Sequence, residues 1–115
     1  MKCWKFRQFG AEVYFTTDWR QIKNETVRWK FERDAKTAGG VCHEDKEGGI
    51  YIWIEPDKES DFINLVDYVA HEVFHAVGYL YKHIGDNTRI RHVEEAPAYH
   101  QGFLTGEILK ELGYE

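Results

Sequence analysis

The run Leu65-Val66-Asp67-Tyr68-Val69-Ala70-His71-Glu72-Val73-Phe74-His75-Ala76-Val77-Gly78-Tyr79-Leu80 decides how the rest of the chain is read. Its apolar residues recur at helical spacing, so a helix is predicted from Ser60 or Asp61 to about His83, with Gly85 as the stop signal. Taking His71 as zero at about 100° per residue, Phe62, Leu65, Val66, Val69, Val73, Ala76, Val77 and Leu80 fall between about 120° and 240°. Asn64, Tyr68, His75 and Lys82 lie within about 60° of His71. One face of this helix is built for a core, and the other presents polar side chains.

The polar face carries His71-Glu72-Val73-Phe74-His75, two histidines four residues apart with a glutamate after the first. The pair differs by about 40° in azimuth and about 6 Å in rise, so both imidazoles can reach one Zn²⁺ at ~2.0–2.1 Å. Glu72 stands about 100° from His71 and about 60° from His75, beside the metal, where it can act as general base on a metal-activated water. With six histidines in 115 residues, roughly 0.03 such patterns are expected by chance.

A catalytic zinc site needs a third protein ligand and one open position. The candidates are Glu94 and Glu95, at the start of a helix predicted over residues 94–112, whose beginning is fixed near Pro97 and whose end is set by Gly113. With Glu95 at zero, Ala98, Gly102 and Gly106 lie within about 60° and Tyr99 at about 40°. Glycine inside a helix costs about 1 kcal/mol relative to alanine, and close approach of the His71 helix would supply a reason for this stripe. That favours Glu95, while Glu94 fits an acidic first turn complementing the helix dipole. A donor for a tetrahedral oxyanion could come from Tyr99, His92, His83, Tyr68 or Tyr79; Tyr99 is preferred because it shares the Glu95 face. His100, about 140° from Glu95, is read as solvated, and His43 as a surface histidine beside an acidic turn.

Upstream, Ala11, Val13 and Phe15 alternate with Glu12, Tyr14 and Thr16, which predicts an opening strand ending near Thr17. Asp18 is placed to cap a helix, with Gln21 as reciprocal partner and Trp19, Ile22, Thr26 and Trp29 as its apolar stripe, ending before Gly39-Gly40. Val41-Cys42-His43 and the run Ile50-Tyr51-Ile52-Trp53-Ile54 predict a hairpin whose second strand is buried on both faces and is closed by Pro56.

Composition sets the outer limits. A chain of 115 residues with 43% hydrophobic residues suits a single domain, residues 1–115. No apolar run approaches the ~18 residues of a membrane span, and the first residues lack a signal-peptide apolar region. Cys3 and Cys42 are too few for a disulfide scaffold and read as free thiols in a reducing cytoplasm. Residues 1–36 carry nine Lys and Arg against five Asp and Glu, whereas the remainder carries six against fifteen. The acidic remainder argues against nucleic acid as the main partner.

The His71-Glu72-Val73-Phe74-His75 motif, followed after nineteen residues by Glu95 with Ala98 three further on, resembles the HExxH and downstream ExxA-type glutamate of gluzincin metallopeptidases. The segment Glu94-Glu95-Ala96-Pro97-Ala98-Tyr99 and the small size are similar to phage- and prophage-encoded zincin-like proteins. The resemblance covers roughly residues 60–112. It implies an α+β fold with a minimal zincin-like core: a small twisted sheet, an active-site helix and a following glutamate-bearing helix. It further implies Zn²⁺ held by His71, His75 and Glu95, Glu72 as the catalytic base, a peptide or protein substrate lying along a sheet edge, and, if phage-encoded, a bacterial host cytoplasm; Tyr99 joins Glu72 as a catalytic candidate from the helical wheel alone. Residues 39–43 are the expected edge, since residues 50–54 are too apolar to face water. Two other functions stay open: a non-catalytic zinc-binding phage structural or host-interaction module, on the same motif, and a nucleic-acid-associated protease or binder, on the basic first third.

Overall fold

The computed structural model describes residues 1–55, 61–82 and 95–114, the side chains of Glu95 and Ala96 excepted. Four strands, β1 (Lys2–Phe6), β2 (Ala11–Thr16), β3 (Gly40–Glu44) and β4 (Gly49–Ile54), form one sheet in the order β1-β2-β4-β3. β2 and β4 run parallel; β1 pairs with β2, and β3 with β4, antiparallel. Three helices complete an α+β fold: α1 (Glu25–Asp34), α2 (Phe62–Lys82) and α3 (Glu95–Glu111).

Strand alternation distributes the side chains to two cores. Ile50, Ile52 and Ile54 of β4, each fully buried, point with Val13, Phe15, Trp4 and Phe6 toward α2 and α3. Tyr51 and Trp53 point the other way, onto Ile22, Val27 and Phe31 below α1. β4 is therefore covered on both faces, as its continuous apolar run requires. β3 is left at an edge of the sheet, as the sequence indicates for residues 39–43.

α2 buries Leu65, Val69, Val73, Ala76, Val77 and Leu80, the expected stripe with two exceptions. Phe62, the first residue of α2, is exposed with its ring 4.9 Å from that of Tyr114, and Val66 is only half-buried. Burying each Leu or Val is worth about 1.5–3 kcal/mol, which anchors the helix firmly enough to hold its opposite face in register. α3 docks on α2 through fully buried Leu104 and Ile108, and Gln101 Nε2 donates to the Ala70 carbonyl at 3.1 Å. Trp4 Nε1 donates to Glu107 Oε1 at 3.3 Å and ties α3 to β1.

Several sequence expectations change. β1 precedes the strand expected to open the fold. The helix expected from Asp18 is two pieces: Asp18 caps only a 3-10 turn, Trp19–Gln21, and Ile22 then runs extended into the core. Asn24 starts α1 anew, its Oδ1 accepting from the Val27 N–H at 3.1 Å. Trp29, placed on the apolar stripe, is instead 59% exposed. The small-residue stripe of α3 does not face α2: a Cβ at Gly102 or Gly106 would meet nothing within 4 Å, and the packed face is Gln101, Leu104 and Ile108, roughly opposite on the helical wheel. Among the described residues no helix is long and apolar enough to cross a membrane.

Candidate metal centre

α2 brings His71, Glu72 and His75 together. The two Nε2 atoms are 3.3 Å apart, and one ligand atom from each of the three residues lies within 4.8 Å of the others. Two nitrogens each ~2.0–2.1 Å from a tetrahedral ion would stand about 3.3–3.4 Å apart, so the imidazole spacing fits a shared cation without rearrangement. Both histidines are solvent-exposed, and among the described residues the nearest polar partner of each is the other.

Glu72 is different in kind. Its residue exposure is 6%, and among the described residues it makes no hydrogen bond or ion pair. It sits at the margin of the apolar stripe, against β3: a Cβ on Gly40 would lie 3.6 Å from Glu72 Cγ. Burial pushes its carboxyl above the ordinary carboxylate value, and His71 and His75 pull it partly back. A buried carboxyl without a partner is unfavourable, and buried polar groups in folded chains are almost always satisfied. The donor set of two imidazoles and a carboxyl is one that could hold a metal ion.

The site opens into a cleft of about 340 Å³ lined by Thr37, Ala38, Gly39 and Gly40 on one side and by Asp67, Tyr68, His71 and Glu72 on the other. Gly40 is required there, since any Cβ would come within 2.9 Å of Ile54 Cδ1 and 3.2 Å of the Trp53 carbonyl oxygen. The wall contributed by the edge strand is consequently almost bare backbone. Lys82 Nζ binds Glu44 Oε1 at 2.7 Å and pins the far end of α2 to β3.

The remaining candidates are placed as follows. Glu95 is the first residue of α3, its side chain outside the described set, and Glu94, His83 and His92 lie outside the described residues altogether. With the glycine stripe turned away from α2, packing no longer argues for Glu95, and its case stands on the motif resemblance. Tyr99 is 69% exposed and does not line the cleft; Tyr68 does. Tyr79 packs against the main core with Lys82 Nζ 5.2 Å from its ring centroid. His100 is not simply solvated: its Nδ1 is 2.9 Å from the Tyr81 hydroxyl, and its ring meets Phe6 and Phe9 edge-on. His43 is not a free surface residue either, because its Nε2 bonds Asp34 Oδ2 at 2.7 Å and its ring packs edge-on against Phe31. Cys3 and Cys42 are free thiols, and burial raises the Cys42 thiol well above its ordinary value. Sequence reasoning missed Asp67 as a cleft residue; its position one turn before His71 on the ligand face was the available signal. Compared with models of known protein families, with curated proteins and with solved structures, the chain matches none.

Proposed function

We propose that this chain is a zinc-dependent metallopeptidase of gluzincin type, hydrolysing peptide bonds in the cleft between α2 and the edge strand β3. The observation that carries the reading is the buried Glu72 carboxyl, without a hydrogen bond or ion pair among the described residues, beside two imidazoles at chelating distance. His71 and His75 would hold the ion through Nε2, with Glu95, or Glu94 beside it, as the third ligand. When bound, zinc acts as a Lewis acid toward the peptide carbonyl and lowers the pKa of water toward ~7.

Glu72 takes the proton of the attacking water at its carboxylate, so that the water oxygen bonds the carbonyl carbon, and returns it to the amine nitrogen as the C–N bond breaks. Burial, which raises the proton affinity of Glu72, suits both halves of that exchange. The exposed backbone of β3 aligns an extended peptide by strand addition, and the bare wall at Gly39 and Gly40 leaves room for it. A tyrosine hydroxyl supports the oxyanion; Tyr99 is the candidate that shares the Glu95 face, and Tyr68 the one that lines the cleft.

The test is cleavage of a fluorogenic peptide pool by the zinc-loaded chain and by Glu72→Gln. The reading expects activity that falls at least ~100-fold in the variant with zinc content unchanged. Zinc bound with full retention of activity in Glu72→Gln, or zinc bound without cleavage of any peptide, would replace it with the non-catalytic zinc module.

A further inference from the structure

We infer that the same cleft contains a subsite for a cationic substrate side chain, Lys or Arg, built from Asp67 and Tyr68; the inference rests on the peptidase reading above. Asp67 and Tyr68 stand one turn before His71 on α2 and flank it on the wheel, at about −40° and +60°. Both line the cleft that also contains His71 and Glu72. Asp67 is exposed and, among the described residues, makes no hydrogen bond or ion pair, so its carboxylate is available to a ligand. Asp67 differs from other exposed acids, such as Glu25, Glu32 and Glu111, in lining this cleft beside His71 and Glu72.

Tyr68 supplies the second element. Its ring reaches across the cleft to the edge strand, with Cζ 3.8 Å and the hydroxyl 4.0 Å from the position a Gly39 Cβ would take. The ring is 45% exposed and bounds the space beside Asp67. The opposing wall, Ala38-Gly39-Gly40, presents few side chains, and the cleft of about 340 Å³ offers space for a long side chain beside the Tyr68 ring. A Lys or Arg there would meet a carboxylate at its charged end and an aromatic face along its stem. An acidic side chain would meet an uncompensated like charge, and a neutral apolar one would leave Asp67 partly desolvated without a partner.

A single partly exposed ion pair with a cation–π contact corresponds to about ten-fold in affinity at low salt. The Coulombic part should weaken as the Debye length shortens.

The experiment uses peptides identical except for one position, scanned along the sequence and carrying Lys, norleucine or Glu. Binding to zinc-loaded Glu72→Gln is followed by fluorescence anisotropy, with Glu72→Gln/Asp67→Asn and Glu72→Gln/Tyr68→Leu in parallel. The expected result is one position at which Lys binds about ten-fold tighter than norleucine and Glu binds weakest. Asp67→Asn should reduce that preference to about two-fold or less, and Tyr68→Leu should weaken binding of Lys and norleucine alike. Equal binding of Lys and norleucine at every position, a preference unchanged by Asp67→Asn, or no peptide binding at all overturns the subsite. Wild-type cleavage separates the two readings. Cleavage without charge preference removes the subsite and leaves the peptidase; an Asp67-dependent binding preference without cleavage does the reverse.

Discussion

Two groupings of histidine with carboxylate occur on opposite sides of the sheet, and they are built differently. On the α1 side, His43 bonds Asp34 at 2.7 Å, Asp34 is also held by Arg33 at 2.9 Å, and the imidazole packs on Phe31. Both carboxylate oxygens of Asp34 and Nε2 of His43 are bonded within that group, and Asp34 is lowered from its ordinary value by Arg33 first and by His43 after it. On the α2 side, among the described residues, the polar partner of His71 and of His75 is the other, and Glu72 is buried without a hydrogen bond or ion pair and raised by burial. The first arrangement is what a histidine and an acid look like when they fasten an edge strand to a helix. The second gathers three ligand atoms within 4.8 Å of one another, a grouping that could hold a metal ion.

The largest effect that could break this contrast is catalytic. Glu72→Gln should lower peptide cleavage at least ~100-fold without lowering the midpoint of urea unfolding of the metal-free chain, since the buried carboxyl makes no hydrogen bond or ion pair among the described residues. A variant as active as the parent, or one that unfolds much earlier, would make Glu72 a structural residue like Asp34. Next in size, Gly40→Ala should destabilise by about 1–3 kcal/mol in the same unfolding assay, because Ile54 and the Trp53 carbonyl must give way beside the cleft. A neutral result would mean that the edge strand is not held tightly over Glu72.

The histidines should then separate on stability alone. His43→Ala removes a hydrogen bond and a ring contact and should cost about 1–2 kcal/mol, whereas His71→Ala, at an exposed position, should stay within ~0.5 kcal/mol in the metal-free chain. Equal losses would erase the distinction. The smallest effect concerns pH. Asp34 is depressed in the folded chain, so its contribution is present above its unfolded value near ~4 and is lost as pH falls through the lower folded value. Asp34→Asn should cost no more than ~1 kcal/mol at pH 7 and should flatten the stability curve below about pH 4; a curve parallel to the parent's would show that the pair carries no charge-dependent stabilisation.

How much of this could be seen in the sequence follows from where the periodicity was strong. α2 and β4 were legible because Leu65, Val69, Val73, Ala76 and Leu80 keep helical spacing and Ile50, Ile52 and Ile54 form an unbroken β-rich run, each dictated by its own burial. β1 is only five residues, with Trp4 and Phe6 as its two buried side chains, too short a pattern to stand out. The interruption at Ile22 was hidden because Asp18 and Asn24 are both good caps, and only the tertiary pull of Ile22 into the core decides that the chain leaves one turn and begins another. The chelating pair was legible because four residues of helix fix it locally. The glycines of α3 misled, because small residues allow close approach without requiring it, and Leu104 and Ile108 chose the docking face instead. Asp67 and the Gly39–Gly40 wall belong to a cleft between elements some thirty residues apart, which no local pattern reports.

The most direct measurement is metal stoichiometry: elemental analysis of the purified chain after equilibration with zinc and removal of excess, beside His71→Ala and His43→Ala. The expected result is about one zinc per chain in the parent and in His43→Ala, with His71→Ala weakened at least ~100-fold. No zinc retained by the parent, or equal retention by His71→Ala, would contradict the metal centre.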